Sequence, residues 1–112
     1  MDILPALREI SELLEQNGLR WCLRGSVERL VKYNQASENN DIDINTDKEG
    51  FAKIQKLFTG RLSRKYDADV LEAIVLSVPV EIMSFDELEK NAAYQRKKTM
   101  YDGVTLYVSE KS

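Results

Sequence analysis

Apolar and polar positions along this chain repeat with two different periods, and the switches between them mark out the elements. Ile3, Leu7, Ile10 and Leu14 recur at helical spacing, with Leu4 and Leu13 widening the stripe, so residues 2–16 are predicted to form an amphipathic helix. Asp2 is placed to cap its start and Asn17-Gly18 to stop it. Residues 19–24 follow as a short strand with Leu19, Trp21 and Leu23 on one side. Gly25-Ser26 breaks that strand, and Val27, Leu30 and Val31 open a second helix with Ser26 as its N-cap. Residues 33–40 (YNQASENN) are polar and aperiodic and are predicted as a loop.

Strict alternation returns at residues 41–45, with Ile42 and Ile44 inward and Asp41, Asp43 and Asn45 on the other face. Thr46 and Glu49 read as a capping box for a third helix, whose buried stripe is Phe51, Ile54, Leu57 and Phe58 and whose end is Thr59-Gly60. Strands are expected at 61–66 and 70–77, around a turn at Asp67-Ala68-Asp69. Pro79 interrupts the next run, so 80–84 is predicted as a separate strand. Ser84 and Glu87 form a second capping box, for a helix running to about Gln95. An Asp102-Gly103 turn between residues 97–101 and 104–108 signals a closing hairpin. The expected fold is α/β (α+β), a mixed sheet with helices packed on it, in one domain spanning residues 1–112.

Composition changes this picture mainly by exclusion. The chain has no histidine, which removes Ser-His-Asp and Cys-His arrangements and the usual imidazole-bound zinc sites. Neither G-x-G-x-x-G nor G-x-x-x-x-G-K-[ST] occurs. A metal site must therefore be built from oxygen ligands, which favours Mg²⁺ or Mn²⁺. Cys22 is the single cysteine, so no internal disulfide forms, and a reducing cytosol suits the chain. The opening MDILPALREI has no secretory pattern and no run is long enough to span a membrane, so a cytoplasmic location is expected. A net charge of −3 gives no general attraction to nucleic acid, which is not an expected partner.

Three short features carry chemistry. Asp41 and Asp43, at i and i+2 on a strand, project from one face with backbones roughly 7 Å apart, a spacing that lets two carboxylates share a metal. Taken alone, a D-x-D is more simply a half-exposed strand with acids facing water. Glu81 lies between Val80 and Ile82 on a later strand. If that strand lies beside 41–45, three carboxylates meet on one face, and their repulsion calls for a cation. Gly25-Ser26 stands between a strand end and a helix start, where backbone amides point at an anion; its plain reading is a βα turn.

In order, Leu23-Arg24-Gly25-Ser26, Asp41-Ile42-Asp43-Ile44 and Val80-Glu81-Ile82 resemble the hG[GS], Dh[DE]h and h[DE]h motifs of the polymerase-β-type nucleotidyltransferase superfamily. The resemblance covers residues 2–90, with Arg24 standing where the pattern prefers an apolar residue. It implies that Gly25 and Ser26 hold the β- and γ-phosphates of a nucleoside triphosphate, and that Asp41 and Asp43 bind the metals. Glu81 would complete the metal site and help activate an acceptor hydroxyl on a small molecule or protein. Arg29 and Lys32, in the helix after Gly25-Ser26, are placed to meet the triphosphate. The chain closes soon after its last hairpin, so a minimal nucleotidyltransferase domain is expected. Such domains include antitoxin-like proteins, and a second reading is a degenerate module acting through a protein partner or as a homodimer.

Other features have plainer explanations. Asp67 and Asp69 are assigned to a turn; the basic clusters Arg61, Arg64, Lys65 and Arg96, Lys97, Lys98 to solvated element ends; and Trp21 and Cys22 to the core. Tyr94, Tyr101 and Tyr107 are as well explained by packing as by stacking on a base.

Overall fold

In the computed structural model, which describes residues 2–34 and 41–110, the expected alternation becomes helices α1 (Leu4–Gln16), α2 (Gly25–Tyr33) and α3 (Lys48–Leu57) and two sheets. The larger is five-stranded, in the order β1 (Trp21–Arg24), β2 (Ile42–Thr46), β5 (Val78–Phe85), β4 (Ala68–Val75), β3 (Gly60–Lys65). Only β2 and β5 run parallel; the other three pairings are antiparallel, which makes the sheet mixed as expected. Strands β6 (Arg96–Tyr101) and β7 (Val104–Ser109) form a separate hairpin, whose β7 packs on β1 and α1. Of the predicted loop, residues 35–40 lie outside the described residues.

The core follows the apolar stripes. Leu7, Ile10 and Leu14 of α1, Trp21 and Leu23 of β1, Ile42 and Ile44 of β2, Ile82 of β5 and Leu106 of β7 are fully buried together. Fully burying each such side chain contributes about 1.5–3 kcal/mol. The Trp21 indole donates to Glu15 Oε1 at 2.9 Å and meets the Tyr107 ring edge-on at 5.5 Å, so its polar end is satisfied while its body fills the core. A smaller cluster, Ala68, Val70, Met83 and Phe85, packs on the opposite face of the sheet.

Local differences from the expected boundaries have identifiable causes. Asp2 accepts a hydrogen bond from the Leu4 amide, as its capping role requires, although α1 starts at Leu4. The cap of α3 is Asp47, which accepts from the Gly50 amide at 2.7 Å. Thr46 is instead the last residue of β2, and its hydroxyl donates to the Arg20 carbonyl. In α2 the first helical residue is Gly25 and the N-cap position is Arg24, so Ser26 lies inside the first turn. Tyr66-Asp67 and Leu76-Ser77 are tight hairpin turns with positive φ at both central residues, the sign pattern of a type I′ turn. Ala68 and Asp69 therefore belong to β4, and β5 starts before Pro79.

The second capping box does not form. Ser84 stays in β5 opposite Asp69, and the chain beyond makes two short 3₁₀ turns, Leu88–Lys90 and Ala92–Tyr94, in place of the predicted helix. Buried Asn91 joins them to the sheet: its amide donates to the Thr46 carbonyl at 2.7 Å and its side-chain oxygen accepts from the Ala93 amide. Asn91→Ala is expected to cost about 1–3 kcal/mol in urea denaturation, because the buried Thr46 carbonyl loses its side-chain partner.

Candidate active site

The parallel pairing of β2 with β5 sets Asp43 directly beside Glu81. Both project from the face opposite Ile42, Ile44, Val80 and Ile82, which are buried in the core. On one flank Arg24 of β1 is in register with Asp43; on the other, Glu72 of β4 faces Glu81 and Arg61 of β3 faces Glu72. One row across five strands thus reads Arg24, Asp43, Glu81, Glu72, Arg61. Asp41, exposed just before β2, joins Asp43, Glu72 and Glu81 around a cleft of about 430 Å³ with Ile74 and Pro79 at its apolar side.

Gly25 closes the other end of the site. Its φ of +71° is in the left-handed region, and a Cβ there would stand 2.7 Å from Asp43 Oδ2. Only glycine lets the α2 N-terminus approach the carboxylate this closely. Ser26 is buried in the same turn. Arg29 is exposed on α2, near enough that its charge is felt at Asp43. Gly25 and Arg29 thus converge on Asp43 from the α2 side, while Asp41 and Glu81 approach from the cleft side.

Electrostatics at Asp43 are dominated by burial, which raises its carboxyl above the usual aspartate range; the Glu81 charge raises it further, Arg24 opposes, Asp41 adds, and Arg29 opposes. Arg24 is held on this face by bonds to Asn45 Oδ1 and Met83 Sδ, both 3.3 Å, and lies over the Phe85 ring. An arginine where the motif favours an apolar residue thus becomes a counter-charge to the acid row. Cys22 takes no part, since burial pushes its thiol up to about 12, where it is an inert core group.

The residues fit a divalent cation in donor chemistry: all are carboxylate oxygens, and two are register neighbours that repel without a cation between them. Among the described residues, however, no three acids already close into a metal-holding group. Glu81 instead has its Oε2 3.4 Å from the Lys65 ammonium, which also bonds Glu72 Oε1 at 2.7 Å. Two members of the site, Glu72 and Lys65, were not assigned to it from the sequence. A lone acid in the apolar run Val70-Leu71-Glu72-Ala73-Ile74 is the signal that marks Glu72; Lys65 has none beyond its place in a basic cluster.

A sequence model described as aminoglycoside-2''-adenylyltransferase matches residues 6–104, nearly the whole chain and all three motifs. The chain belongs to that family. As an aminoglycoside-2''-adenylyltransferase family member it is a nucleotidyltransferase-superfamily protein, as the ordered motifs implied, and family membership supports nucleotidyl transfer in general. Its fold is also that of a solved Thermotoga maritima protein described as a "putative nucleotidyltransferase", with a TM-score of 0.76 at 23% identity, over 96% of this chain and 77% of that one. No curated protein matches. Among the described residues no helix is long and apolar enough to cross a membrane.

Two substitutions test the geometry. Gly25→Ala is expected to destabilise the fold by about 1–2 kcal/mol through the left-handed backbone alone, and to displace the Asp43 carboxylate, read by thermal melting and by nucleotide titration. For Asp43, the folded state holds the proton better than the unfolded chain does, so ionisation costs stability as pH rises above the unfolded value of about 3.9. Asp43→Asn should therefore raise the melting temperature at neutral pH in metal-free buffer, with the gain disappearing as pH falls into the ordinary aspartate range. A lower melting temperature at neutral pH would mean that the carboxylate is structural.

Proposed function

We propose that the chain is a Mg²⁺- or Mn²⁺-dependent nucleotidyltransferase that moves a nucleoside monophosphate, AMP by its family's description, from the triphosphate to a hydroxyl group. The observation that carries this reading is the register pairing of Asp43 with Glu81 beside the Gly25 turn. A divalent ion held by Asp41 and Asp43, with Glu81 as the third acid, would supply charge stabilisation at the phosphates. Gly25 and Ser26, at the N-terminus of α2, would present backbone amides to the β- and γ-phosphates, with Arg29 as an added cation. Glu81 would take the acceptor's proton as its oxygen attacks the α-phosphorus, and the bond to the β-phosphate would break to release pyrophosphate.

The acceptor is a small molecule or a protein. The family's description names an aminoglycoside, and a cleft with four acids around it suits a cationic acceptor. Ile74, 73% exposed, and Pro79 pair across β4 and β5 beside those acids, giving the acceptor or a partner chain an apolar surface to rest on. A cytoplasmic location remains part of this proposal.

Calorimetric titration with ATP and the other nucleoside triphosphates, with and without Mg²⁺, tests the reading. Metal-dependent binding is expected for the wild type and lost in Asp41→Asn/Asp43→Asn. Absence of binding to the wild type would favour the second reading, a degenerate module that works through a partner. Glu81→Gln is expected to keep triphosphate binding while lowering transfer about 10²-fold or more; equal loss of both would contradict a proton-accepting role.

A further inference from the structure

Lys65, the last residue of edge strand β3, is not needed for any step above, yet it reaches into the acid row. Its register partner on β4 is Ala68, which offers no polar group. The side chain instead folds back along the sheet to Glu72, whose Oε1 it meets at 2.7 Å and whose Oε2 meets Arg61 at 3.4 Å. The same ammonium stands 3.4 Å from Glu81 Oε2. Among the described residues it is the cation in contact with Glu81, whose register neighbours Asp43 and Glu72 are both acids. Lys65 therefore takes up the charge of the one acid that has to turn towards Asp41 and Asp43 before a third ligand is available.

We propose that Lys65 is a positioning residue for Glu81: a tethered cation that shares Glu81 with Glu72 in the metal-free protein and moves wholly onto Glu72 when a divalent ion takes Glu81. This rests on the reading of Glu81 as part of the metal site. The two distances support the direction of the exchange, because the closer contact is already with Glu72. A flexible four-carbon stem with three donors can give up one carboxylate and keep the other, which a rigid partner could not. Glu72 is the resting place, doubly neutralised by Lys65 and Arg61, and its carboxyl is accordingly held below the usual range by the Lys65 hydrogen bond. Release of Glu81 from Lys65 is part of the cost of metal binding, so the tether tunes the affinity downward.

The test is Mn²⁺ binding to the full chain without nucleotide, followed by calorimetry and by the spin resonance of free Mn²⁺. Lys65→Met, which keeps the stem and removes the charge, is expected to bind Mn²⁺ about two- to fivefold more tightly, the range expected for an ion pair of this exposure. Lys65→Arg, which keeps the charge on a planar, less adaptable group, should bind Mn²⁺ no more tightly than wild type. Glu72→Gln strands Lys65 on Glu81 and should weaken binding by a similar factor, whereas in a Lys65→Met background the same change should have no effect. Melting curves in metal-free buffer check that each variant is folded. Unchanged or weaker binding in Lys65→Met, while the wild type binds, overturns the tether and leaves the metal-site reading standing. Equal weakening by Glu72→Gln in both backgrounds also overturns it, because Glu72 would then act on the ion directly. If neither wild type nor Lys65→Met binds Mn²⁺ without nucleotide, the tether is overturned, while the metal-site reading is decided by the Mg²⁺ dependence of nucleotide binding.

Discussion

The parallel pairing of β2 with β5 is the interaction on which the rest of the molecule depends. One face of that pair buries Ile42, Ile44, Val80 and Ile82; the other holds Asp43 against Glu81. Because side chains alternate with a period of two, slipping the register by one residue would send the acids into the core and the isoleucines into the cleft. Burial of several branched side chains, each contributing about 1.5–3 kcal/mol, outweighs the repulsion between two partly solvated carboxylates. The acids are held together by what lies behind them.

The pairing also explains the distribution of charge on the site face. With β1 added to one side and β4 and β3 to the other, the row runs cation, three acids, cation, and Lys65 leans in from the far edge. The terminal cations limit the repulsion without cancelling it, and Asp43, whose carboxyl burial raises, still feels Glu81 more strongly than it feels Arg24. Excess negative charge is therefore concentrated in a partly enclosed cleft beside the N-terminus of α2. Under the proposed function, that charge would draw a divalent cation, and through it a polyphosphate, to one place. Family membership supports nucleotidyl transfer in general.

Much of this architecture was legible beforehand because it is written in local repeats. The stripe Leu7, Ile10, Leu14 forms α1 and the D-I-D-I alternation forms β2; Asp102-Gly103 makes the final hairpin turn. The structure departs from the local pattern where local signals compete with strand pairing. Leu76-Ser77 and Tyr66-Asp67 take positive φ without the glycine that usually announces such a turn, because the strands on either side pair along their whole length. Ser84 resembles a helix cap, but it stays in β5 opposite Asp69, and the segment beyond folds as two 3₁₀ turns anchored to the sheet by Asn91.

By itself the sequence determined which face of its own strand each acid occupies, which turns carry glycine, and the ordered motifs that mark the superfamily, since all of these depend on spacing within a few residues. Tertiary structure alone decided which strands are neighbours. That choice made Glu72 a companion of Glu81, gave Arg24 a carboxylate to face, and brought the Lys65 ammonium across the sheet to two acids. Periodicity can assign a side chain to a face, but contact between faces of different strands is set by how the whole core closes, and no local pattern records it.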